Sequence, residues 1–247
     1  MASLITLLTD FGVADSYVGE VKGVLLTAVP DATLIDVTHQ VPPGDVRAGQ
    51  YLFGRTWRRF PEGTVHLVVV DPGVGTSRRA LAAQAAGHLF VAPDNGLLTS
   101  LPADAEFVSL PVPPSAAPTF HARDVFAPAA ARLAMGVSLD DLGDSVTDVR
   151  RSPLPEPRMD GVALLGQVIY VDRFGTLVSN IPAEDVDPGV RIVVEGNDVG
   201  PLRRTFSEVE HGQLIAFAGS GGGVEIAVRG GSAVRLLGVG VGAEVRA

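Results

Sequence analysis

The sequence predicts an α/β domain followed by a smaller all-β domain. Three observations carry this reading. Strand-like apolar runs alternate with helix-patterned segments over residues 1–150. A proline-rich stretch, Arg151-Ser152-Pro153-Leu154-Pro155-Glu156-Pro157, then interrupts the chain. Beyond it, short β-branched runs separated by glycine-rich turns fill the remainder. The expected layout is residues 1–150 as the α/β domain with a mostly parallel sheet, 151–160 as linker and 161–247 as a barrel-like β domain.

The elements follow in order. Residues 4–8 form a strand that ends in Thr9-Asp10-Phe11-Gly12, and Asp15-Ser16 opens a helix with Tyr17, Val18, Val21, Val24 and Leu25 on one face. Residues 34–37 are the next strand. Pro42-Pro43-Gly44-Asp45 reads as a breaker and N-cap before a helix carrying Val46, Tyr51, Leu52 and Phe53. Residues 64–70 form a third strand, followed by strands at 80–84 and 89–92, the latter ending in Pro93-Asp94-Asn95-Gly96. Residues 111–118 are an extended, proline-stiffened connector, and 122–135 a further helix. In the second part, strands are expected at 166–171, 191–195, 214–218, 224–228 and 233–237, with no long helix.

Composition narrows the classes of function. The chain has 247 residues and 46% hydrophobic content, enough for a sizeable core. A net charge of −9 disfavours nucleic-acid binding, and the arginine pairs are scattered rather than clustered. Lys22 is the single lysine, and no Walker-type loop precedes it. The absence of cysteine removes disulfides, thiolate metal sites and a cysteine nucleophile. Met1-Ala2-Ser3-Leu4 lacks the pattern of a secretory leader, and no apolar run is long enough to span a bilayer. A cytoplasmic protein with no membrane partner is expected.

The chemistry concentrates at strand ends. Asp71 follows Val68-Val69-Val70 and precedes a turn with Gly73 and Gly75 that can bring Arg78 back to the carboxylate. The arrangement reads equally as a reactive site and as an ion pair bracing a turn. Asp10 also stands just beyond a strand. If the two strands are neighbours, both carboxylates face one crevice, and Asp94 can join them there. For Asp94 a plain Asx turn is the simpler reading. None of the five histidines shows metal-site spacing. His66 reads as a core residue and His88 as an exposed turn residue. His121, in Thr119-Phe120-His121-Ala122-Arg123-Asp124, either caps a helix or orients a substrate or water, and sequence alone favours the cap. Asp172 beside Phe174 suits a nitrogen heterocycle or an ordinary hairpin turn. The run Gly219-Ser220-Gly221-Gly222-Gly223 is a flexible turn whose amides can cradle a carboxylate.

Together these segments resemble the S-adenosylmethionine hydroxide adenosyltransferase family, relatives of fluorinase and chlorinase. The resemblance rests on Thr9-Asp10-Phe11-Gly12, Asp36-Val37-Thr38-His39, Val70-Asp71-Pro72-Gly73-Val74-Gly75, Pro93-Asp94-Asn95-Gly96, Phe120-His121-Ala122-Arg123-Asp124 and Asp172-Arg173-Phe174-Gly175, all in one order. It implies hydrolysis of S-adenosylmethionine to adenosine and L-methionine without metal or cofactor. It also implies a homotrimer whose sites join the α/β domain of one subunit to the β domain of a neighbour. The catalytic set would be Asp71, Arg78 and His121. Substrate contacts would come from Asp10, Asp94, Asn95, Asp172, Phe174, Phe206, Ser220 and Val228.

Asp71 stands where the halide-using relatives carry tyrosine, their long insertion before Pro93 is missing, and Ala122 replaces a halide-contacting serine. The resemblance therefore implies hydroxide transfer rather than halide transfer. Thr176 departs from the family's asparagine, and Gly221-Gly222-Gly223 from a bulkier stretch. Two other classes remain open on the residues alone. One is a protein that binds S-adenosylmethionine or adenosine without turnover, and the other is a metal-dependent phosphoesterase using Asp10, Asp71, Asp94 and His121.

Overall fold

The computed structural model describes residues 3–247; Met1 and Ala2, on which the expectation of no secretory leader partly falls, lie outside the described residues. The chain divides into two units, the first running to Pro153 and the second spanning Leu154–Ala247.

The first unit is built on a seven-stranded sheet. Its strands are β1 (Leu4–Thr9), β2 (Thr33–Thr38), β3 (Val65–Val69), β4 (Ala80–Ala85), β5 (His88–Pro93), β6 (Glu106–Leu110) and β7 (Asp144–Ser145), in the order β2-β1-β3-β5-β4-β6-β7. The four strands β2, β1, β3 and β5 are parallel. The β4–β5 hairpin reverses the direction, and β6 and β7 add antiparallel pairs, so the sheet is mixed. Strands β6 and β7 were not anticipated. The first carries charged and polar residues, Glu106 and Ser109, and the second is two residues long.

Alternation along the strands separates two faces. Ile5, Leu7, Val65, Leu67 and Val69 pack against Val21 and Leu25 of α1 (Tyr17–Ala28) and the alanine-rich α3 (Ala127–Ala134). The opposite face carries His66 and Phe90 against Phe53 of α2 (Val46–Gly54) and Trp57. Asp45 caps α2 as expected, its carboxylate accepting from Ala48 N at 2.9 Å. The expected helix at 122–135 begins differently. Ala122–Phe126 is a π-helical turn, one residue wider per turn than an α-helix, and α3 follows it.

His88 is not the exposed turn residue expected; it is 5% exposed, and its Nδ1 lies 3.2 Å from His66 Nε2. Trp57 and Phe90 cover it, a long-range packing that local sequence does not announce. His66 is buried as expected, bonded through Nδ1 to Thr6 Oγ1 at 2.7 Å and stacked on Phe90. Burial, with His88 adding to it, holds His66 down from 6.5 to about 3. The unfolded chain therefore takes up a proton below pH 6.5, whereas the fold resists it until about pH 3. The stability this ring confers is present above 6.5 and lost as pH falls through that window. Between pH 6.5 and 5 the expected loss is about 2 kcal/mol. Urea midpoints over this range should show it, and His66→Phe should flatten the slope.

The second unit is a closed barrel. Strands β9 (Ala163–Val171), β10 (Leu177–Pro182), β14 (Gly223–Val228), β13 (Leu214–Ala218), β12 (Asn197–Arg203), β11 (Arg191–Val194) and β15 (Glu244–Arg246) run in that order, and β9 pairs with β10 to close the ring. A short strand β8 (Arg158–Asp160) flanks β9. Residues 151–157 have no regular structure. Val168, Leu177, Ile181, Ile192, Ala216, Ile226 and Val245 fill the barrel. One expected strand is wrong: residues 233–237 form the short helix α4 (Ala233–Leu237). Ser232 caps it through Arg235 N, and Gly238 ends it in the left-handed conformation, φ 69°. Five residues are too few for apolar periodicity to separate helix from strand.

Candidate active site

Register brings the first carboxylates together. Thr9 of β1 lies opposite Val69 of β3, so Asp10 and Asp71 leave the carboxyl ends of neighbouring parallel strands. Both line a pocket of about 310 Å³ with Phe11, Gly44, Val69, Pro72, Val74, Thr119, Phe120, His121 and Ala122.

Arg78 returns to Asp71 as the turn predicted. Its Nε donates to Asp71 Oδ1 at 2.9 Å and its Nη2 to Asp71 Oδ2, a bidentate pair. The same Nη2 lies 3.0 Å from His121 Nδ1, and Arg78 Cζ stands 5.2 Å from the centre of the buried Phe126 ring. Gly75 makes the approach possible. It sits at φ 76°, and a Cβ there would meet Pro118 O at 2.5 Å, so the Asp71–Arg78 turn packs directly on the backbone leading to His121.

His121 begins the π-helical turn, yet its side chain makes no capping bond, which corrects the favoured capping reading. The ring is taken instead by Arg78. An arginine only donates, so His121 Nδ1 accepts and the neutral ring carries its proton on Nε2. Burial, then the Arg78 guanidinium, holds His121 below the usual 6.5, with Asp71 and Asp124 opposing. Burial also raises Asp10 above the usual 3.8; the Gly44 amide, donating to Asp10 Oδ2 at 2.7 Å, offsets part of this, and Asp71 adds to it. With His121 neutral, two carboxylates against one guanidinium leave one net negative charge around the pocket. Such a pocket favours a cation and repels a halide.

Asp94 follows β5, beside β3, but its carboxylate turns elsewhere. Arg79 Nε donates to its Oδ2 at 2.8 Å and Arg150 N to its Oδ1 at 2.7 Å. It does not line the pocket holding Asp10 and Asp71. Asn95 Nδ2 donates to Val70 O at 2.8 Å, which ties the Pro93–Gly96 turn to the residue before Asp71.

In the second unit, Asp172, Phe174, Phe206, Ser220 and Val228 line one pocket of about 750 Å³. Asp172 Oδ1 accepts from Phe174 N at 2.9 Å and Thr176 N at 2.8 Å, so Thr176 contributes through its backbone. Phe174 is 70% exposed, and Phe206 stacks obliquely on Phe217 at 5.1 Å. Arg173, Phe217, Glu225 and Arg235 also line it, and none of the four is among the residues assigned a site role from sequence. Arg235 lies in the run expected as a strand and found as α4, and Glu225 lies within β14, where the expected strand 224–228 stands.

Among the described residues, no group of three or more His, Cys, Asp or Glu is arranged to hold a metal ion, and no helix is long and apolar enough to cross a membrane.

Comparison with known proteins gives a consistent picture. Residues 5–143 match the SAM hydroxide adenosyltransferase N-terminal domain model, and residues 166–246 match the C-terminal domain model. A Salinispora tropica protein named (R)-S-adenosyl-L-methionine hydrolase is 40% identical, over 98% of this chain and 96% of its own. A Nocardia brasiliensis protein named Fluorinase is 30% identical, over 91% of this chain and 89% of its own. The solved structure of an uncharacterized conserved protein from Thermotoga maritima superposes with a TM-score of 0.89 at 36% identity, covering 98% of both chains.

Proposed function

The chain belongs to the SAM hydroxide adenosyltransferase family, and from that premise we propose how its residues carry the reaction. The enzyme hydrolyses S-adenosyl-L-methionine to adenosine and L-methionine. Following its relative's name, we take the (R) sulfonium epimer as the substrate. The observation that supports the site assignment is the Asp71–Arg78–His121 constellation at the mouth of two parallel strands, with Asp10 beside it.

The sulfonium is already a good leaving group, so C5′ needs only a nucleophile held in line with the C–S bond. Positioning of this kind lowers a barrier by up to ~7–11 kcal/mol. A water in the pocket donates a hydrogen bond to Asp71 and accepts one from His121 Nε2–H. As its oxygen bonds to C5′, the C–S electron pair returns to sulfur as the thioether of methionine. The water's proton passes to Asp71 late in the step, because a carboxylate is too weak a base to generate hydroxide beforehand. Arg78 holds both partners and stays charged throughout. The apolar walls, Phe11, Val74, Phe120 and Ala122, limit competing water.

Asp10, with its fixed Gly44 bond, takes the ribose hydroxyls. Asp172, Phe174, Phe206, Ser220 and Val228 take the base and the methionine end, and Asn95 and Asp94 brace the loop behind Asp71. The two sets come from different copies in a cytoplasmic homotrimer, as the resemblance implies. Light scattering of the purified protein tests that state.

The reaction is tested by incubating EDTA-treated protein with S-adenosylmethionine in ¹⁸O-water. Adenosine carrying the label at its 5′ oxygen, with unlabelled methionine, is the expected result. Label in methionine, or turnover abolished by EDTA and restored by a metal, would overturn the mechanism. Tight binding without turnover would support the binding-protein reading instead.

A further inference from the structure

Arg123 takes no part in the chemistry described above, yet it sits at the centre of a charged network beside the pocket. Its Nε and Nη2 grip the neighbouring Asp124 at 2.7 and 3.0 Å, and its Nη1 donates to Glu20 Oε2 of α1 at 2.9 Å. Glu20 is itself held by Ser16 Oγ at 2.7 Å, and Asp124 Oδ2 accepts from Ala117 N at 2.8 Å. The guanidinium also lies 4.9 Å from the centre of the Phe120 ring. Phe120 packs edge-on against Phe11 and Tyr17 at 6.1 and 5.3 Å, and Phe11 and Phe120 both wall the pocket. Arg123 thus touches α1 and Phe120 directly and, through Asp124, reaches the end of the proline connector that leads to His121.

This network is poorly placed to serve stability. Arg123, Glu20 and Asp124 side chains are 33%, 38% and 22% exposed, and ion pairs so open to water contribute little to folding. It is well placed to set geometry. The carbonyl of Phe120 accepts from both Arg123 N and Asp124 N at 3.2 Å, so the residue before His121 is joined directly to the two residues at the centre of the network. The Asp124 bond to Ala117 closes the loop that carries His121, and Arg123 fixes where Asp124 stands.

We propose that Arg123 is a positioning residue for the hydrolysis: through Asp124 and Phe120 it sets the place of the His121 imidazole against Arg78, and of the aromatic wall against the substrate. The proposal rests on the assignment of Asp71, Arg78 and His121 as the catalytic set. Without Arg123, the 117–121 segment relaxes and His121 shifts from its acceptor position on Arg78. A displacement of that order at a catalytic group costs on the order of 100-fold in rate.

The test compares Arg123→Met and Glu20→Gln with the wild-type protein in three measurements: thermal melting, S-adenosylmethionine turnover, and the two-bond ¹H–¹⁵N NMR spectrum of the histidine rings. For Arg123→Met we expect melting within about 3 °C of wild type and a kcat lower by about 10–100-fold. The His121 Nδ1 resonance should also leave the position of an unprotonated acceptor. Glu20→Gln should move the same readouts in the same direction by less, and it serves alone if Arg123→Met does not fold. An unmoved His121 resonance in a folded variant overturns the proposal, whether or not melting falls. The ring spectrum needs no turnover, so failure of the hydrolase reading in the wild-type protein is seen separately from failure of this one.

Discussion

Asp71→Asn should cut kcat by about 1,000-fold while leaving the protein folded and the substrate bound. The substitution keeps the size of the side chain and one oxygen for Arg78, so the turn from Asp71 to Arg78 need not move. It removes the carboxylate assigned to take a proton from the attacking water, next to His121, whose Nδ1 is already occupied by Arg78. General-base contributions of this kind are worth about 10²–10⁴ in rate. Turnover followed by chromatography and affinity by calorimetry separate the two effects. A Kd within about tenfold of wild type with turnover lost is the expected pair, in line with rate effects confined to the chemical step. Turnover equal to wild type would mean that positioning by Arg78 and His121 suffices and that Asp71 serves only as their anchor.

Arg78→Met should damage both stability and activity. The Arg78 and Asp71 side chains are 10% and 6% exposed, so removing the guanidinium strands a buried carboxylate and frees His121. Breaking such a pair by deleting one partner costs about 3–5 kcal/mol. Arg78→Lys is the sharper variant. It restores a charge beside Asp71 and should recover part of the stability, read as a urea midpoint between those of Met and wild type. A single ammonium cannot span both carboxylate oxygens and His121 Nδ1 at once, so turnover should stay at least ~100-fold down. Wild-type turnover in Arg78→Lys would show that charge alone is needed there and that the planar fork is incidental.

Much of the site was legible because its signals are local. Asp71 and Arg78 are seven residues apart across a glycine turn, and Asp10 ends an apolar strand, so spacing and strand polarity suffice to place them. The pocket residues of the second unit were found by resemblance, and one pocket gathers all five. What local sequence does not carry is long-range packing. His88 looked exposed because a glycine precedes it, and only the covering of Trp57 and Phe90 buries it. Asp94 shares its strand-end pattern with Asp10 and Asp71; what turns it away is the Arg79 guanidinium together with the backbone amide of Arg150, the latter distant in sequence. The π-helical turn was invisible for a different reason. Its residues have an ordinary helical pattern, and the choice between four and five residues per hydrogen-bonded step is made by what the flanking side chains must reach.

That wide turn sets local stability against activity. Ala122–Phe126 spends one residue more than a plain helix needs for the same rise. Deleting a single residue there would let the backbone regularise and raise helical stability, in the manner of many stabilising changes that cost function. It would also shorten the backbone path that joins His121 to α3, carrying the imidazole off its guanidinium. Alignments that drift by one position across this segment would therefore compare unlike enzymes, and thermostability screens that reward compact helices should be expected to discard this turn first.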